Sequence, residues 1–214
     1  MSNLFNEIDD DLRQDRLKTF WATYKNSIYA GIIVISLVLI GSEAYQYYSK
    51  SKTEKSGIIL SQIIESIIDK EPQLINDYAD ELLESGTSNY KTYALLLKSD
   101  NFISQDKIEE ARETYIDLIK KAENSLISDL ARLKLSYLNV DYYPFGQIQE
   151  EVTPLLENDN PLSLFAYEVL AMSAYKNGLY ESGIEYLNII ITNEKTTNGM
   201  FDRAQMMLRV MDSK

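Results

Sequence analysis

The sequence predicts an all-α protein, in which a single N-terminal transmembrane helix is followed by a solenoid of helical hairpins. One long apolar run carries almost no charge, and the rest of the chain repeats its apolar residues at steps of three and four. Only eight glycines and four prolines occur among 214 residues, too few for a sandwich or barrel of short strands. We expect a tail at residues 1–25, a span at 26–48 and a helical domain at 49–214.

The predicted span begins at Asn26 and ends at Tyr48, and its only charged residue is Glu43. A helix of about 20 apolar residues crosses a hydrocarbon core of about 30 Å. Aromatic residues lie at both edges, where the headgroup layers favour them. A buried core helix is the alternative, but it would normally show polar interruptions on one face. The residues that represent the span are Asn26, Ile28, Gly31, Ile33, Ile35, Leu37, Leu39, Gly41 and Tyr48.

We interpret the span as an uncleaved anchor. A secretory signal has a basic leader and an apolar run of about 7 to 15 residues, whereas this leader is acidic and the run is longer. Four basic residues precede the span and three follow it closely. This weak bias places the N-terminus in the cytoplasm and the domain on the other side of the membrane.

The tail at residues 1–25 has the pattern of an amphipathic helix. It could serve as a cytoplasmic docking helix. We favour a helix that lies at the membrane interface, with Phe20 and Trp21 dipping into it.

Composition limits the chemistry that the chain can perform. The formal net charge is -12, which repels nucleic acid and anionic lipid headgroups. Histidine and cysteine are both absent, which removes the commonest general base, cysteine nucleophiles and nearly every zinc site. No glycine-rich phosphate loop or EF-hand motif occurs. We therefore expect no enzymatic activity, cofactor, metal, small-molecule substrate or nucleic-acid partner.

The domain is predicted to contain helices of about 12 to 18 residues joined by short turns, which indicates stacked hairpins. Helix ends are predicted near Pro72, at Ser85-Gly86 and at Asn177-Gly178. Two further breaks fall at residues 141–146 and 158–161, where Asn160 or Ser163 is placed to cap the next helix. The last amphipathic helix is predicted from Gly199 to Met211.

A repeat pattern is clearest in residues 161–193. Small residues at Ala171 and Gly183 would let two helices approach closely, with larger side chains filling the flanking space. Ala111 has the same second-helix position two units earlier, and Ala79 lies about one unit before that. The residues that match the offsets of a tetratricopeptide repeat are Tyr167, Leu170, Ala171, Gly178, Tyr180, Gly183, Leu187 and Ile190.

Four blocks of the sequence are distinctive: LFNEIDDDLRQDRLKTFWATYKNSIYAG, LISDLARLKLSYLN, PLSLFAYEVLAMSAYKNGLYESGIEYLNIII and DRAQMML. Together they resemble the YfgM-like family of membrane-anchored, tetratricopeptide-repeat-like proteins of bacteria. The resemblance implies a non-enzymatic protein of the bacterial inner membrane with its domain in the periplasm. It also implies protein partners, namely the Sec translocon and a membrane-anchored periplasmic chaperone of the prolyl-isomerase-like type. It supplies no catalytic residues.

Two functions remain open from the sequence. The first is a protein-interaction module that meets newly exported chains beside the translocon. The second is a scaffold for envelope assembly or cell division that uses the same kind of helical domain for a different client.

Overall fold

The structure is a computed structural model that describes residues 2–157 and 159–213. Within these ranges, the side chains of residues 2–17, 19 and 26–32 are not described. The chain forms two compact units, Met1–Lys52 and Thr53–Lys214, and each is considered by itself.

The first unit consists of the N-terminal part of α1, a helix that begins at Ser2 and ends at Ile68. Its described side chains from Ile33 to Tyr48 are exposed, including the predicted span residues Ile33, Ile35, Leu37, Leu39, Gly41 and Tyr48. Over the described residues, no helix carries a stretch long and apolar enough to cross a membrane. Asn26, Ile28 and Gly31 of the predicted span lie outside the residues whose side chains are described. The span therefore stays a prediction.

All regular secondary structure in the described residues of the second unit is helical, as the sequence predicts. After the C-terminal part of α1, its α-helices are α2 (Pro72–Ser85), α3 (Ser88–Ser104), α4 (Ile108–Lys121), α5 (Ser125–Asn139), α6 (Phe145–Val152), α7 (Ser163–Lys176), α8 (Tyr180–Thr192) and α9 (Asn198–Met211). A short 3₁₀ turn, Thr153–Leu156, follows α6.

Local sequence explains where these helices begin and end. Pro72 lies in the first turn of α2, where its missing N–H removes no helical hydrogen bond. Gly178 ends α7 with φ +72°, a left-handed conformation that glycine adopts without steric cost. Asn124 caps α5, because its Oδ1 accepts a hydrogen bond from the Leu126 amide at 2.9 Å. The prediction that Asn160 or Ser163 caps α7 is wrong, because the N-cap residue is Leu162 and no described side chain caps this helix. Asn160 instead accepts a hydrogen bond from the Leu162 amide at 2.9 Å in the turn before α7.

The helices of the second unit pack mainly against their neighbours along the chain. The most extensive pairs are α3 with α4 and α7 with α8, and α5 also contacts α7. Ile59 and Ile63 of α1 share an apolar cluster with α2 and α3, while α7, α8 and α9 share another. A row of small clusters replaces a single central core, which is the arrangement of a repeat solenoid.

Candidate functional site

Five of the eight predicted repeat residues share one apolar cluster of the α7–α8 hairpin. Ala171, Leu187 and Ile190 are fully buried in one cluster, against which Tyr167 and Tyr180 pack half-buried. The remaining three lie elsewhere: Leu170 is buried in the preceding cluster, Gly183 is buried at a helix contact, and Gly178 is an exposed turn residue.

The contact at Gly183 differs from the sequence expectation, which placed it near Ala171. A Cβ added to Gly183 would lie 3.5 Å from Cβ of Ala174, and only 2.7 Å from Sδ of Met211. Met211 belongs to α9, so the close approach at Gly183 involves the terminal helix as well as the hairpin partner. Repeat offsets describe a pair of helices, and they contain no information about the side chain that a third helix places there.

Four charged residues recur about once per hairpin along the odd-numbered helices, and we refer to them as the charge ladder: Asp100 on α3, Lys134 on α5, Glu168 on α7 and Arg203 on α9. Nζ of Lys134 lies 2.9 Å from Oδ1 of Asp100, which precedes it by 34 residues. Nε and Nη2 of Arg203 donate to the two carboxylate oxygens of Glu168 at 2.7 and 3.0 Å. Sequence reasoning missed this ladder, although the recurrence of charge at the repeat period was a usable signal.

Two tyrosines extend the charge ladder, of which Tyr115 is fully buried and Tyr137 is partly buried. The hydroxyl of Tyr115 donates to the Asp100 carboxylate, and that of Tyr137 donates to Oε2 of Glu168 at 3.2 Å. Burial, followed by the nearby carboxylates, raises the pKa of both hydroxyls well above the usual tyrosine value. Both therefore stay protonated and donate. Through Lys134 and Tyr137, α5 is joined to α3 on one side and to α7 on the other.

A second polar network joins α4, α5 and α6. Nε of buried Arg112 donates to Oδ1 of Asn139 at 2.7 Å, and Nδ2 of Asn139 donates to both oxygens of Glu151 at 3.1 and 3.2 Å. The Arg112 guanidinium also lies 4.6 Å and 5.0 Å from the ring centroids of Tyr142 and Tyr143. Glu151 is partly buried in this network.

Glu151 gives the fold a dependence on pH. Burial raises its pKa, and the Asn139 hydrogen bond and the charges of Arg132 and Arg112 offset this only in part. Because the folded state holds this proton more tightly than the unfolded state does, stability decreases as the pH rises from the ordinary value through the raised one.

We expect Glu151→Gln to remove this component of the pH dependence. The free energy of unfolding, measured by chemical denaturation from about pH 4 to about pH 8, should fall less steeply with pH in the variant than in the wild type. Glu150→Gln is the matched control, since Glu150 is exposed. If the free energy of unfolding of the Glu151→Gln variant depends on pH as steeply as that of the wild type, the pH dependence does not come from Glu151.

A cavity of about 570 Å³ adjoins the Asp100 end of the charge ladder. It lies between the end of α1, the start of α2 and the C-terminal half of α3, and we refer to it as the α1–α3 cavity. Its walls are largely apolar, and its lining residues are Ile67, Lys70, Pro72, Ile75, Leu97, Asp100, Asn101 and Ser104. A smaller apolar cavity of about 230 Å³ lies on α9, beside Met206 and Val210.

Among the residues that the structure describes, no group of three or more acidic side chains is placed to hold a metal ion. The charged groups of the ladder are paired with one another, so they serve to join helices.

One comparison with known proteins gave a match. A family model described as a tetratricopeptide repeat-like domain matches residues 18–151. No match was found to a curated protein or to a solved structure. The matched residues end within α6, before the α7–α8 hairpin in which the repeat offsets of the sequence are clearest.

Proposed function

Because the chain belongs to the tetratricopeptide repeat-like family, whose model covers more than half of it, we propose that its helical domain is a non-enzymatic module that binds other polypeptides. The observation that carries the proposal is the charge ladder, which holds α3, α5, α7 and α9 side by side. Helices joined in this way present one continuous face, and an extended binding surface of this kind is what solenoids offer to partners.

We further propose that residues 26–48 anchor this module in the bacterial inner membrane, with the N-terminus in the cytoplasm and the domain in the periplasm. Seven large apolar side chains between Ile33 and Ile40 are 59 to 67% exposed along α1. An apolar stretch of this kind on a single helix is unusual for a surface in contact with water. Surrounding lipid would provide the apolar environment that these side chains lack.

The partners that fit this placement are the Sec translocon and a membrane-anchored periplasmic chaperone. The module would then assist the transfer of exported chains from one to the other. The support for this proposal is the resemblance of the opening, middle and C-terminal sequence blocks to the YfgM-like family.

Affinity purification of the tagged full chain from detergent-solubilised membranes tests the proposal. We expect the chain in the membrane fraction and the translocon channel among the enriched proteins. In a double variant, Leu37→Lys with Leu39→Lys, each lysine costs about 3 kcal/mol at the centre of a span. This control should lose both the membrane fractionation and the enrichment.

Two other outcomes would redirect the interpretation. Wild-type chain recovered in the soluble fraction would contradict the anchor. Enrichment of cell-wall or division factors in place of the translocon would support the scaffold function.

A further inference from the structure

The α1–α3 cavity has one cationic side chain at its edge, that of Lys70. Lys70 is exposed, and its ammonium has no ion-pair partner among the described residues. The cavity's other charged group, Asp100, is paired with Lys134 at 2.9 and 3.0 Å and accepts a hydrogen bond from Tyr115. The cavity therefore offers one lysine ammonium that forms no ion pair within the described structure.

The fold holds Lys70 in place at a backbone conformation that lysine does not favour. Its φ is +58°, in the left-handed region where a residue with a Cβ is uncommon. Hydrogen bonds from the Lys70 amide to the Ile67 carbonyl and from the Glu71 amide to the Ser66 carbonyl close the turn at 3.3 and 2.9 Å. Glycine or asparagine would adopt this turn more readily.

The walls of the cavity suit an apolar group. Ile67, Pro72, Ile75 and Leu97 supply the apolar lining, and Ile67 is 42% exposed. Buried Asn101 fixes one side, because its Nδ2 donates to the Pro72 carbonyl at 2.8 Å and to Oδ1 of Asn76 at 3.0 Å. A volume of about 570 Å³ lies within the range of about 300 to 1,000 Å³ that is typical of ligand sites, which combine apolar walls with a few polar groups.

We propose that the α1–α3 cavity receives an apolar side chain of a partner polypeptide, and that Lys70 pairs with an acidic residue next to that side chain. The proposal rests on the proposed function insofar as the occupant is a polypeptide. Charge complementarity identifies the acidic neighbour. The acidic character of the whole chain repels strongly acidic segments, so the favoured partner is mainly apolar with a single acidic residue beside its anchor.

Binding of three end-blocked fluorescent peptides to the full chain in lipid nanodiscs tests this proposal. The peptides share a central pair of leucines, followed by glutamate, glutamine or lysine. We expect the glutamate peptide to bind most tightly and the lysine peptide most weakly. Lys70→Glu should weaken binding of the glutamate peptide by about tenfold and reverse the order of affinity of the two charged peptides.

Two further variants distinguish an effect of the cavity from an effect of the protein's overall charge. Lys120→Glu makes the same change in charge at an exposed position on α4 and should leave the order of the peptides unchanged. Ile67→Gln should weaken binding of all three peptides, since it places a polar side chain in the apolar wall of the cavity. Circular dichroism should show that each variant keeps the helical content of the wild type.

Several results would overturn the proposal. These are a wild-type preference for the lysine peptide, an order unaffected by Lys70→Glu, or an equal effect of Lys120→Glu. Failure here is distinct from failure of the proposed function. If membrane purification recovers the same partners with and without Lys70→Glu and Ile67→Gln, the module binds polypeptides and the site lies elsewhere. If the wild type recovers no polypeptide partner, the proposed function itself fails.

Discussion

Replacing Arg203 with methionine is expected to lower the free energy of unfolding by about 3 kcal/mol. The Glu168 side chain is only 7% exposed, and Arg203 supplies two of its hydrogen bonds, at 2.7 and 3.0 Å. Without the guanidinium, the Tyr137 hydroxyl is the only donor that the described residues still provide to the buried carboxylate. Leaving a buried charge without its partner costs far more than the ion pair itself contributes. The half-exposed position of Arg203 places the effect at the lower end of the usual range.

Arg209 provides the matched control on the same helix. It is exposed, and among the described residues it has no ion-pair partner, so Arg209→Met should change stability by less than about 0.5 kcal/mol. Chemical denaturation of the full chain measures both variants. In a Glu168→Met background, Arg203→Met should cost much less, because the buried charge is already gone. Equal effects of the two arginine substitutions would contradict the role of the charge ladder.

Replacing Gly183 with leucine is expected to cost about 1 to 3 kcal/mol. Even the first side-chain atom would lie 2.7 Å from Sδ of Met211 and 3.5 Å from Cβ of Ala174. Leucine adds further atoms between α8 and α9, so it must displace the terminal helix. Gly183→Ala should be close to neutral, because alanine gains about 1 kcal/mol of helix propensity while the flexible end of Met211 moves aside.

Thermal midpoints of the Gly183 variants, compared with the wild type, test this contrast. The double variant Gly183→Leu with Met211→Ala should lose less stability than the sum of the losses of the two single variants. The shorter side chain at position 211 opens the space that leucine needs. If leucine is tolerated as well as alanine, the close packing of Gly183 against α9 is incorrect.

The helix ends were predictable because each depends on residues that are adjacent in sequence. Pro72 begins α2, Gly86 follows the last residue of α2, and Gly178 follows α7 by two positions. Proline and glycine act through their own backbone restrictions, which need no knowledge of the tertiary fold. The α7–α8 hairpin was likewise predictable, since Ala171 and Leu187 lie at offsets set by helix periodicity.

The contacts between hairpins were harder to predict from the sequence. The α1–α3 cavity depends on the angles between three helices and on the left-handed turn at Lys70, and no local pattern specifies either. Met211 reaches Gly183 only because α9 packs on α8. The charge ladder could have been recognised, because Asp100 and Lys134 lie one repeat apart; a search confined to small and apolar residues does not detect charges.

The packing of neighbour on neighbour also determines the order in which the domain can acquire its structure. The cluster that joins α1, α2 and α3 contains no residue beyond Leu97, so it can form before the later helices have been synthesised. Contacts between residues close in sequence carry a small loop-closure entropy and favour rapid folding. A chain built in this way can fold progressively, one hairpin at a time, while its C-terminal part is still being made.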